Sequence, residues 1–110
     1  MASAGFGGDM GSLLKQAQEM QRRMQEAERS LAERQIEGSA AGGAIKIVLN
    51  GLQEVQSVKI QKEVVDPGDV EGLEDLIAVA MRQAITASRA LREQEMGKVT
   101  GGMNLPGMGF

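Results

Sequence analysis

Met10, Leu13, Ala17, Met20, Met24, Ala27 and Leu31 follow one another at alternating steps of three and four. That rhythm is the a/d seam of a heptad helix rather than the broader apolar face of a globular one. No Pro or Gly interrupts it after Gly11. Oppositely charged residues four apart fill the gaps: Glu19 with Arg23, Arg22 with Glu26, and Arg29 with Glu33. The pattern predicts a helix from Met10 to Arg34, capped by Asp9 or Ser12 and roughly 37 Å long. An apolar seam of that length needs a partner.

The period then changes. Gly38 and the run Ser39 to Gly43 end the helix, and Gln35 to Ser39 leaves room for a short strand. Ile45, Ile47 and Leu49 alternate within Ala44 to Leu49, the mark of a strand with one apolar face. Asn50-Gly51 signals a hairpin because both residues tolerate positive φ, with a loop that can extend through Gln53. Val58 and Ile60 alternate in the returning strand, Glu54 to Gln61. Asp66-Pro67-Gly68-Asp69 reads as a helix start, with Asp66 as cap, Pro67 first and Asp69 third. The second helix is expected from about Val70 to Met96, stopped by Gly97. Its apolar face is Val70, Leu73, Ile77, Ala80, Ala84, Ala87 and Leu91, widened by Leu76, Met81 and Ile85.

The expected fold is therefore α+β: long helix, small antiparallel sheet of two or three strands, long helix. Residues 10–96 form the single domain, between a disordered tail over 1–9 and a Gly-rich tail over 97–110. Strands of this length span about 20–27 Å, less than either helix. The N-terminal part of the first helix and the C-terminal part of the second should overhang the sheet. A small sheet also leaves an edge and a face open. The simplest remedy is a homodimer that completes the sheet layer and presents paired helical arms.

Composition narrows the chemistry. The 110 residues contain no Cys and no His, which removes thiol catalysis and the commonest general base and metal ligands. Phe6 and Phe110 are the only aromatics, so no platform exists to stack unpaired bases. The longest apolar run, Leu76 to Met81, is far too short for a membrane span, and residues 1–12 lack the charge and apolar block of a signal peptide. A cytoplasmic protein is expected, with no cofactor, metal or small-molecule substrate.

Net charge is −3, but it is segregated. Residues 10–25 hold Lys15, Arg22 and Arg23 against Glu19. Residues 82–98 hold Arg82, Arg89, Arg92 and Lys98 against Glu93 and Glu95. Each stretch is thus +2, while residues 26–81 carry five basic and eleven acidic groups and are −6. The seven basic residues of the two outer stretches are candidate contacts for the phosphates of double-stranded DNA.

Other constellations are weaker. Glu71, Glu74 and Asp75 are explained by the dipole of a helix start, without a carboxylate-based hydrolase. Gly97-Lys98 lacks the Ser or Thr and the first Gly of a phosphate loop, having Val99 and Arg92 in those places. The Met residues of the seam, Met20 and Met24 in particular, would suit an alternative, an adaptor whose arms grip another protein.

Several segments together resemble the YbaB/EbfC family of bacterial nucleoid-associated proteins. They are Leu13 to Gln21, Gly51 and Val55 to Ile60, Glu63 to Ile77, and the closing Met96 to Gly107. The resemblance covers nearly everything after residue 9. It implies a tweezer-like homodimer with the sheet at its base and the helices as arms. It further implies a protein of the cytoplasm and nucleoid, not an enzyme, that binds double-stranded DNA and affects nucleoid organisation and gene expression.

Overall fold

The computed structural model describes residues 2–101, with side-chain surroundings from Met10 onward. Helix α1 spans Ala2–Glu33. Strands β1 (Gln35–Ala40), β2 (Ile45–Asn50) and β3 (Val55–Ile60) follow, and helix α2 (Val70–Thr100) closes the chain. The sheet is antiparallel throughout, in the order β1-β2-β3. Helical backbone thus reaches back through most of the stretch expected to be a tail, and the possible third strand is present. The tail expected beyond residue 101 lies outside the described residues.

The core forms where α2 crosses β1 and β2. Ile45, Ile47 and Leu49 point to one side of β2 and are buried against Ala80 and Ala84. Small residues let the layers approach closely. A methyl group on Gly38 of β1 would overlap the Ala80 carbonyl oxygen and the Ala84 amide nitrogen of α2. Ala87, expected on the buried face, is exposed, and Ser88 is buried in its place. The Ser88 hydroxyl donates to the Asn50 carbonyl at 3.0 Å, so the buried polar group is satisfied.

Asn50 and Gly51 turn the chain, for a reason different from the one expected. Neither has positive φ; Gln53 takes the left-handed conformation instead, at φ 65°. Asn50 is 3 % exposed, and its Oδ1 accepts from the Leu52 and Glu54 amides, both at 2.9 Å. Its Nδ2 donates to the Ala32 carbonyl at the end of α1, at 3.3 Å. Gly51 donates its amide to the Leu31 carbonyl at 2.8 Å. A Cβ at Gly51 would sit 2.7 Å from Leu31 Cδ2. The turn therefore welds α1 to the sheet, and Leu31 is fully buried beside it.

The ends of α2 also differ from expectation. Asp66 caps a tight turn, accepting from the Gly68 amide, and Asp69 is the helix cap, accepting from the Gly72 amide at 3.0 Å. Pro67 belongs to that turn, which finishes before the helix begins. At the other end, α2 passes through Gly97 to Thr100. Burial of Val99, worth about 1.5–3 kcal/mol, outweighs the cost of about 1 kcal/mol for a helical glycine.

The helices overhang the sheet. Every residue from Met10 to Gln18 is exposed, and the molecule measures 80 × 26 × 17 Å. Yet α2 does not project alone. It packs against α1 as well as the sheet, and Arg34 at the end of α1 lies 3.7 Å from Glu95. Each chain thus carries one composite arm of two helices, tipped by α1 alone. Among the described residues no helix is long and apolar enough to cross a membrane.

Candidate nucleic-acid interface

The candidate cations fall into two sets. On α1, Lys15 and Arg22 are seven residues apart and share a face. Lys15 is exposed on the projecting part of the helix. Arg22 is held between two carboxylates, 2.5 Å from Glu19 and 2.5 Å from Glu26. Arg23 lies 3.3 Å from the same Glu19. The hydrogen bond from Arg22, with the nearby charges of both arginines, holds the Glu19 carboxyl below its ordinary range. Two of the three expected i,i+4 pairs are therefore made.

The third, Arg29 with Glu33, is not made. Arg29 is exposed, with no carboxylate within 4.0 Å among the described residues. It lies seven residues beyond Arg22 and so continues the line of Lys15 and Arg22. The seven-residue spacing was the signal for it, obscured by the nearby glutamate.

On α2, Arg82 and Arg89 are also seven apart, on the side away from the buried Ala80, Ala84 and Ser88. Arg92 follows one turn on. All three are exposed, and no carboxylate lies within 4.0 Å of them among the described residues. The three span about 15 Å along the helix. Lys98 is engaged, 3.3 Å from Glu95. Because Gly97-Lys98 lies inside α2, it forms no phosphate loop. Glu71, Glu74 and Asp75 are exposed in the first turns of α2, as the dipole favours.

Cations spread along the outer sides of helices in an elongated molecule can meet an extended polyanion at several points. They do not converge on a small ligand. Known proteins agree with that class. The sequence pattern of the YbaB/EbfC DNA-binding family matches residues 6–103, and the chain belongs to that family. A nucleoid-associated protein of Alkaliphilus metalliredigens is 46% identical over 98% of this chain and 99% of its own length. Another, from Ruminiclostridium cellulolyticum, is 50% identical over 94% of this chain and 91% of its own. Among solved structures, an uncharacterized protein of Helicobacter pylori, HP0035, shares the fold. Its TM-score is 0.66, at 20% identity, over 77% of this chain and 86% of that one.

Proposed function

We propose that the protein is a nucleoid-associated, non-enzymatic DNA-binding protein that grips double-stranded DNA as a homodimer through paired helical arms. Binding in the nucleoid would affect DNA organisation and gene expression. The observation that carries this reading is the row of arginines Arg82, Arg89 and Arg92, unpaired among the described residues, on the outer side of α2 in a member of a DNA-binding family. These residues act as phosphate contacts, with Lys15 on the other helix. Arg22, Arg23 and Lys98 join them by exchanging a carboxylate for a phosphate. Phosphate contacts release counterions and carry no sequence information.

Self-association is supported by apolar surface that the single chain leaves open. Met10, Leu13 and Leu14 are each more than 60 % exposed on the projecting helix. Val58 and Ile60 of β3 lie opposite the buried Ile47 and Ile45, on the face that α2 covers elsewhere, yet are 49 % and 37 % exposed. A second copy of the chain covers such patches most simply. Gel-shift titration with unrelated duplexes, beside sedimentation equilibrium, tests both parts. The expected result is a dimer that shifts every duplex and releases it as salt rises. A monomer, or a shift unaffected by salt, overturns the reading.

A further inference from the structure

The sheet has a second face, turned away from α2. Register places Ser39 of β1, Lys46 of β2 and Lys59 of β3 in one row across that face. Lys46 and Lys59 are direct cross-strand partners, with Cβ atoms about 5 Å apart. Like charges in that position repel and destabilise a sheet. Both lysines are exposed, and no carboxylate lies within 4.0 Å of either among the described residues. The Lys46 stem runs over Gly43, its Cε 3.6 Å from where a glycine Cβ would stand. The next row is Glu37, Val48 and Ser57, so one carboxylate lies on the face but engages neither lysine.

The two faces differ in what they can meet. The α2 side continues outward into Val58 and Ile60, an apolar surface suited to protein. The far side offers two ammonium groups beside a hydroxyl, and Lys62 stands two residues beyond the end of β3. Three of the five basic residues between positions 26 and 81 are thus gathered at one end of the β2–β3 hairpin, within a stretch that is acidic overall.

We propose that the Lys46–Lys59 row is a second phosphate-binding surface, at which the sheet itself contacts the DNA backbone. A phosphodiester between the ammonium groups turns their repulsion into two attractive contacts, with the Ser39 hydroxyl as a further donor. This inference rests on the DNA-binding reading above. The duplex is then held at the base of the molecule as well as along its arms.

The test compares the parent with Lys46→Gln/Lys59→Gln and Lys46→Arg/Lys59→Arg, by DNA titration at several salt concentrations. The glutamine pair should bind several-fold more weakly. Its slope of log affinity against log salt should be shallower by about 2 for each sheet face engaged. The arginine pair should keep the parent slope. Thermal unfolding of the glutamine pair should be no lower than the parent, because a repulsive pair has been removed. Bound duplex should also protect Lys46 and Lys59 of the parent from acetic anhydride. A glutamine pair that binds with parental affinity and slope, or lysines that acetylate equally with and without duplex, overturns the proposal while leaving the arms as the DNA site. A parent that binds no duplex at low salt overturns both.

Discussion

The basic stretches of α1 and α2 carry the same net charge, +2 each, but they are not equivalent. On α1, Arg22 and Arg23 share Glu19, and Arg22 also holds Glu26. On α2, Arg82, Arg89 and Arg92 are exposed and have no such partners among the described residues. The difference lies in which side chains the rotamers bring together. Glu19, Arg22, Arg23 and Glu26 are three or four residues apart and meet along one helix side. Arg89 and Glu93 stand in the same order and spacing as Arg22 and Glu26, yet among the described residues only the second pair is made. Charge that is already partnered must break an ion pair to reach a phosphate; unpartnered charge gives up only water and counterions.

This contrast orders the expected effects of substitution. Arg89→Glu with Arg92→Glu should be the most damaging change, lowering DNA affinity on the order of 100-fold by loss of about four phosphate contacts in the proposed dimer. Sedimentation should match that of the parent. Parental affinity in that double variant would break the comparison. Arg22→Gln with Arg23→Gln should cost less, about threefold to tenfold in the same titration. A loss as large as that on α2 would mean that the ion pairs do not restrain the arginines.

Removing the restraint should act the other way. Glu19→Gln leaves Arg23 without its carboxylate and Arg22 with only Glu26, so duplex affinity should rise about threefold. Unchanged or weaker binding would count against competition between Glu19 and phosphate. The smallest effect expected is on pH dependence. The Glu19 carboxyl is held below its ordinary range, chiefly by the Arg22 hydrogen bond. Its contribution is fully present above that range and is lost as pH falls through the lowered value. Circular dichroism of the parent should therefore lose helix on acidification in a step that Glu19→Gln lacks. Identical acid profiles would show the pair to be energetically silent.

The element order was legible because each period was distinct. Ile45, Ile47 and Leu49 alternate, and the buried Ala27 and Leu31 lie on the expected α1 seam. What was not legible came from contacts distant in sequence. Gly51 is needed for Leu31, twenty positions earlier, rather than for its own φ. Ser88 is buried because the Asn50 carbonyl awaits its hydroxyl, which no hydropathy pattern reveals. Val99 carries α2 through a glycine that locally reads as a stop. The same limit applied to the cations. Sequence located Arg22, Arg89 and Arg92 equally well, but only packing and rotamers decide which guanidinium is already satisfied. The Lys46–Lys59 row needed strand register, since thirteen positions separate the two residues.

The central claim is that unpartnered cations on the paired helices bind duplex DNA through its phosphates. Its most direct test is the slope of log affinity against log salt for the intact protein, measured by fluorescence anisotropy on several unrelated duplexes. A steep slope shared by all of them, made shallower by about 0.9 for each arm cation removed, is the predicted result. A flat slope, or a slope unchanged when Arg82, Arg89 and Arg92 are all replaced by Gln, would contradict it.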